Sequence, residues 1–316
     1  ADSLMNVDEA LAQLLKASRV LPETRTAALG DAIGATLAET PVAAVTVPPA
    51  DNSAVDGYAL NSRDGAEPSL PVSQRIPAGQ DPYPLAPGTA ARIFTGAAVP
   101  EGADTVMMQE NAQTDGDRVV FSRRPEAGQN IRPAGQDIRE GDPLIEAGSR
   151  LEPWHLGLLA SAGLAEVRVY RPLRIAVLSS GDELVTPGQA LAPGQIYNSN
   201  QTMLESMVRA AGWEAIPFDT VADTFEVTRE ALRKASEEAD VIITTGGVSV
   251  GEEDHIRDAI QSLGQLELWR MAIKPGKPLA FGHIGDTPVI GLPGNPAAVL
   301  VTSLILARPF LRFCQG

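Results

Sequence analysis

The stretch Thr245-Gly246-Gly247-Val248-Ser249-Val250-Gly251 follows the apolar run ADVIIT and leads into the acids Glu252, Glu253 and Asp254. Glycines let a backbone approach a phosphate with no Cβ in the way, and the unpaired N–H groups of a helix start favour an anion. Two further junctions share this make-up: Ser179-Ser180-Gly181-Asp182-Glu183 after IAVL, and Leu292-Pro293-Gly294-Asn295-Pro296 after PVIG. Singly, each reads as a turn, and Asn295-Pro296 as a helix N-cap followed by Pro at the first helical position. Three such loops at one sheet edge point to an elongated, phosphate-bearing ligand. The Walker spacing and the G-x-G-x-x-G fingerprint are both absent.

Carboxylates beside a phosphate loop repel the ligand unless a hard cation lies between, and Mg²⁺ is commonly held by one or two carboxylates plus substrate phosphate. Glu183 and Asp254 are the candidate pair for such an ion, although acids at 252–254 also suit the N-terminus of a following helix. The segment AIKPGKPLAFG supplies Lys274 and Lys277 around a Pro-Gly turn. A surface lysine is ordinarily a solvated charge, but two on a rigid turn suit a compact oxyanion. His155, His255 and His283 lack zinc-ligand spacing, and there is no nucleophile elbow.

These loops need strands and helices to hold them. From Pro172 onward, short β-rich apolar runs alternate with helices predicted at 198–211, 225–238, 254–263 and 296–309. That is the pattern of a parallel sheet wrapped by helices, whose ligands sit beyond the carboxyl ends of the strands. Residues 7–40 place Ala and Leu at helical spacing around a break at Pro22, which predicts two helices. Residues 41–149 are rich in Pro, Gly and short alternating stretches such as ARIF and DRVVFS, the signature of a β domain. PAGQD occurs there at 77–81 and 133–137 and reads as two similar strand-turn elements rather than two equivalent sites. Residues 151–170 read as a helix followed by a strand. The expected fold class is therefore multidomain α/β plus β: a helical linker layer (1–40 and 150–170), an inserted mainly-β domain (41–149) and an α/β domain with a parallel sheet (171–316).

The 316 residues carry a formal charge of −15, which disfavours broad binding to nucleic acid or anionic membranes, so an anionic ligand must be captured locally. The single cysteine, Cys314, cannot form an intrachain disulfide, in keeping with a reducing compartment. No uninterrupted apolar run reaches the roughly 18 residues of a membrane span, and the first residues lack a secretory signal layout. The expectation is a cytoplasmic protein without membrane or nucleic-acid partners.

Assembled, the segments PPADNSAVDGYA, FTGAAVPEGADTVMMQE, IRPAGQDI, SSGDEL, IYNSN, TTGGVSVGEED, AIKPGKPLAFG and GLPGNP run from Pro48 to Pro296 in one order. In that order the chain resembles the molybdopterin molybdenumtransferase family, which includes bacterial MoeA and the E domain of gephyrin. The resemblance implies an enzyme of molybdenum cofactor biosynthesis that takes adenylylated molybdopterin and molybdate as substrates. With Mg²⁺ it would cleave the phosphoanhydride, release AMP and leave molybdenum on the dithiolene. It further implies catalytic roles for Asp56, Asp137, Glu183, Asp254, Lys274 and Lys277, with Glu183 and Asp254 near the metal and the lysines near molybdate. Ligand-binding positions implied in the same way are Thr95, Gly96, Ser180, Gly181, Asn198, Ser199, Thr245, Gly246, Gly247, Ser249, Gly251, Pro293, Gly294, Asn295 and Pro296. A homodimer is implied, in which one subunit's β domain faces the other's α/β domain. Partners of the family type would be the molybdopterin adenylyltransferase and molybdoenzyme-maturation proteins. Two departures stand out: the family's small C-terminal β domain is expected to be lacking in a chain ending at Gly316, and Ala298 stands where many members have Ser. The alternatives are a non-catalytic binding scaffold of the same fold and a related nucleotide pyrophosphatase.

Overall fold

A computed structural model of the chain describes residues 4–246 and 255–316. They fold as two compact units, one of residues 1–39, 147–152 and 167–316, the other of residues 40–146 and 153–166. The residues expected to form a separate helical layer are thus shared between the two units.

The first unit is built on a six-stranded sheet. Its order is Glu214–Ile216, Arg174–Ser179, Val241–Thr245, Thr287–Leu292, Pro278–Ile284, Gly264–Arg270. Successive side chains of a strand point to opposite faces, and Arg174–Ser179 follows that rule. Ile175 and Val177 join Leu204, Val208, Val299 and Phe310 in one core, while Ala176 and Leu178 join Leu232, Ala235, Ala259 and Ile260 in another. Helices Ser199–Ala210 and Pro296–Thr302 therefore serve one face, and Phe225–Glu238 and His255–Leu263 the other.

The expected parallel sheet is only partly so. Arg174–Ser179 pairs in parallel with both neighbours, and Val241–Thr245 pairs in parallel with Thr287–Leu292. The last two strands added, Pro278–Ile284 and Gly264–Arg270, are antiparallel. The cause is connection length: Ile284 and Thr287 are joined by Gly285-Asp286 alone, with Gly285 at φ +57°, and two residues suffice for a hairpin but not for a crossover helix.

The stretch Pro296–Gln315 is long and apolar enough to cross a membrane by length and composition, yet half of its most apolar window is buried inside the protein. Val299, Leu306, Phe310 and Cys314 belong to the core beneath the sheet, and a core helix has this composition. Its middle turn, Ser303–Ala307, widens to a π-helix just before Pro309. Pro309 has no N–H for the carbonyl four residues back and its ring crowds that carbonyl, so the turn opens.

The second helix expected before residue 40 does not form. After Val7–Lys16 the chain makes the strand Thr24–Ala28 beside Glu166–Tyr170 and a short 3₁₀ turn, Leu29–Asp31. Gly34 sits at φ +72°, a conformation that ends a helix, and strand pairing here outweighs the modest helical preference of the alanines.

The second unit contains a six-stranded sheet ordered Thr105–Met108, Gly57–Leu60, Ala90–Ile93, Leu70–Ile76, Arg118–Phe121, Ala112–Asp115. Its two faces bury separate clusters, one around Ala59, Ile93 and Val106, the other around Leu60, Leu70 and Met107. The helix Pro153–Ser161 belongs to this unit. Both PAGQD segments close the same turn: the Gln N–H donates to the Pro carbonyl at 3.3 Å (Gln80) and 3.1 Å (Gln136), with Gly79 at φ +83° and Gly135 at φ +70°. A positive φ at the third position is what a type II turn requires, so the repeat is a turn motif.

Candidate functional site

Parallel register brings three strand ends level. Ser179 pairs with Thr245, and Thr245 with Leu292, so the chain leaves the sheet side by side at Ser180, Gly246 and Pro293. The turns then close on one another. A Cβ placed on Gly246 would lie 3.8 Å from the Ser180 carbonyl oxygen, and one on Gly294 would lie 3.8 Å from the Gly246 Cα. Gly246 takes φ +81° and donates its N–H to the Leu292 carbonyl at 3.1 Å. Beneath, the buried hydroxyls of Ser179 and Thr245 share a hydrogen bond of 2.9 Å. Thr245 is thus spent on holding two strands. Gly247, Ser249, Gly251 and Asp254 lie outside the described residues.

Glu183 folds back over this edge. Its Oε2 would lie 2.5 Å from a Cβ on Gly181, so the carboxylate rests against the glycine backbone and would have to swing aside for any larger residue. Ser180 donates to Asp223 Oδ1 at 3.3 Å, and the Asp223 N–H donates to Asp182 Oδ1 at 3.1 Å. The acidic side chains around the strand end offer oxygens, the kind of ligand a hard divalent ion takes, though those of Asp182 and Asp223 already accept hydrogen bonds. Among the described residues, however, no three such side chains gather into a set that could hold a metal ion.

The two asparagines of the carried motifs are caps. Asn198 is buried, accepts from the Gln201 N–H at 3.2 Å and donates to Thr220 Oγ1 at 3.0 Å, opening the helix that starts at Ser199. Asn295 Oδ1 accepts from the N–H groups of Ala297 and Ala298 at 2.9 and 3.3 Å, with Pro296 at the first turn. Two of that helix's free donors are thereby taken, which leaves fewer for an anion. A residue that sequence reasoning passed over links the two motifs: Asn200 donates to the Gly294 carbonyl at 2.8 Å, and its buried Oδ1 has no partner among the described residues. It stands in the quoted IYNSN, so the signal was there; Asp223, distant in sequence and outside every motif, gave none.

Lys274 and Lys277 line one cleft of about 770 Å³ together with Ile273, Gly276, Pro293 and Asn295. The cleft joins the Pro-Gly turn to the third strand-end loop, so two exposed ammonium groups stand beside the turn that carries Gly294.

In the β unit, three motifs interlock. Asn52 and Ser53 pair with Arg132 and Ile131, the Gly96 N–H donates to the Ser53 carbonyl at 2.8 Å, and the Asp137 N–H donates to the Val47 carbonyl at 3.0 Å. Asp51 Oδ1 receives the Ala134 N–H at 2.8 Å, seating the second PAGQD turn; the Asp137 side chain is exposed. Asp56 Oδ1 accepts both the N–H and the hydroxyl of Thr95, each at 2.8 Å. The Thr95 N–H and then the Thr95 hydroxyl hold the Asp56 carboxyl below the usual carboxylate range against the opposing effect of burial, and the charge of Arg92 adds the smallest contribution.

The first unit is thus an α/β domain whose parallel strands end side by side in glycine-bearing turns, where ligands sit in such folds, with Lys274 and Lys277 in the adjoining cleft. Residues 5–163 match the family described as the MoeA N-terminal region (domain I and II), and residues 176–312 match the probable molybdopterin binding domain. The chain is 39% identical over 318 residues to the molybdopterin molybdenumtransferase of Haemophilus influenzae, covering 99% of this chain and 78% of that protein. It is 38% identical over 327 residues to molybdopterin molybdenumtransferase 2 of Mycobacterium tuberculosis, covering 99% and 80%. The crystal structure of the molybdopterin biosynthesis moeA protein from Pyrococcus horikosii superposes with a TM-score of 0.87 at 31% identity, over 99% of this chain and 81% of that one. The chain belongs to the molybdopterin molybdenumtransferase family, and its role lies in molybdenum cofactor biosynthesis.

Proposed function

We propose that the chain inserts molybdate into adenylylated molybdopterin with release of AMP. The observation that carries this reading is the convergence of three glycine-bearing strand ends beside a two-lysine cleft in a protein whose net charge is −15. The turns at Ser180–Gly181, Gly246 and Pro293–Gly294 take the phosphate-bearing part of the ligand against backbone, since no Cβ intervenes at the glycines. Asn200 presents an unpaired acceptor beside the third turn. Lys274 and Lys277 hold the tetrahedral oxyanion by charge. Glu183, with Asp254 as the second acid, would hold Mg²⁺; when bound, that ion supplies screening of the phosphoanhydride charge. Asp56, kept ionised by Thr95, and Asp137 supply carboxylates from the β unit. The working form in this reading is a homodimer.

The test is AMP release by the purified chain from adenylylated molybdopterin, molybdate and Mg²⁺. Lys274→Met combined with Lys277→Met is expected to lower the molybdate-dependent rate by about a hundredfold while the affinity for the adenylylated pterin changes by less than about threefold. An unaltered molybdate dependence would remove the lysines from the reaction, and no AMP at any substrate concentration would remove the reaction.

A further inference from the structure

We infer that Arg92 is a positioning residue for the Asp56–Thr95 pair, a fork that fixes the chain on both sides of it. The inference rests on the part given to Asp56 in the proposed reaction. In the β unit Gly57 pairs with Ile93 and Tyr58 with Arg92, so Asp56 and the Phe94-Thr95 segment leave the ladder at the same end. One Arg92 side chain then reaches both exits. Its Nη1 donates to the Gly57 carbonyl at 2.9 Å and its Nη2 donates to Gln109 Oε1 at 2.7 Å. Its guanidinium carbon lies 4.6 Å from the centre of the Phe94 ring and 5.3 Å from that of Tyr58.

The loop of bonds closes on itself. Gln109, which accepts from Arg92, donates its own N–H to the Asp56 carbonyl at 3.0 Å. Arg92 thus grips the residue after Asp56, a partner of Asp56 itself and the residue before Thr95. Gly57 is pinned from the other side as well, since a Cβ there would meet the Met107 carbonyl oxygen at 1.9 Å. Arg75 lies 4.6 Å from the same Phe94 ring and helps to hold it. A lysine cannot reproduce this, because one ammonium on a flexible stem offers neither the planar two-acceptor fork nor the stacked face. The charge of Arg92 additionally favours the carboxylate form of Asp56, behind the two Thr95 bonds.

The experiment compares Arg92→Met and Arg92→Lys in the full chain, following Asp56 by carboxyl-carbon NMR titration and Thr95 by amide hydrogen exchange. In Arg92→Met the Asp56 midpoint is expected to rise by about half a pH unit or more, and Thr95 exchange to quicken by about tenfold. Arg92→Lys, which keeps the charge but not the fork, is expected to quicken Thr95 exchange and to raise the Asp56 midpoint with it, because the Thr95 bonds are the larger cause of the lowered value. A folded Arg92→Met with both readouts unmoved would overturn the proposal. If Arg92→Met does not fold, Gln109→Leu serves, because it removes one acceptor and leaves the Arg92 charge; Thr95 exchange is expected to quicken at least about threefold there, and an unmoved rate overturns the fork. In AMP release, the expected pattern for Arg92→Met is a kcat lower by about tenfold with KM within about threefold. A moved titration with unchanged kcat supports the fork and overturns the part of Asp56 in the reaction; a lower kcat with both NMR readouts unmoved overturns the fork.

Discussion

Asp240 shows how single residues couple distant parts of the first unit. Arg171 donates two bonds to its carboxylate at 2.6 and 2.8 Å, and the Arg174 N–H adds a third at 2.8 Å. Burial pushes the Asp240 carboxyl up, but the Arg171 bond, the Arg174 N–H and the charges of both arginines outweigh it, and the net direction is down. A depressed carboxyl stabilises the fold above the ordinary carboxylate pKa, and that contribution fades as pH falls through the folded value. Asp240→Asn is therefore expected to cost roughly 2 kcal/mol near neutral pH and less near about pH 3, below the ordinary carboxylate value. Urea unfolding of both proteins at the two pH values decides it; an equal loss at both would show that the charge is not the cause. None of this was legible in the sequence, where nothing links Asp240 to a strand opened about 70 residues earlier. Asp56 was legible only through its motif, and the fork that holds it was not: Arg92 reads as an ordinary strand residue until Gly57, Gln109 and Phe94 are seen around it.

At the scale of elements, the apolar runs of the α/β half became strands and their helices formed at the expected places, because short buried runs bounded by Gly and Pro leave few alternatives. Strand direction was readable too, but in a two-residue signal: Gly285-Asp286 between two apolar runs demands a hairpin, and the larger alternating pattern masked it. The neighbouring pair, Pro278–Ile284 with Gly264–Arg270, depends on glycines for close approach. A Cβ on Gly282 would sit 2.0 Å from the Gln265 carbonyl oxygen, and one on Gly264 would sit 1.9 Å from that of His283. Gly282→Ala is expected to lower stability by about 1–3 kcal/mol and to speed amide exchange along Gly264–Arg270. Unchanged protection of that strand would mean that the backbone yields more easily than the packing suggests. The meeting of the three strand-end turns belongs to the same scale: each turn could be seen in the sequence, while their spacing required the register of Ser179, Thr245 and Leu292.

For the whole molecule, charge is the governing quantity. A net −15 opposes the approach of any anion from afar, whereas Lys274 and Lys277 attract it only at close range. Salt screens the long-range repulsion first, because it acts across more than the ~8–10 Å Debye length. Raising the ionic strength from about 0.02 to 0.15 M is expected to lower the apparent KM for the anionic substrate severalfold; a rise instead would show that the two lysines dominate at all distances. The outer borders of the six-stranded sheet bear on how such molecules behave when crowded. One border, Glu214–Ile216, is three residues long, and the other, Gly264–Arg270, turns Gln265, Glu267 and Arg270 to solvent. The Met5 N–H already occupies the Arg270 carbonyl at 2.8 Å. A stray strand arriving on either side meets too short a template or ionic groups that must first shed their hydration, so neighbouring copies gain little from stacking into fibrils.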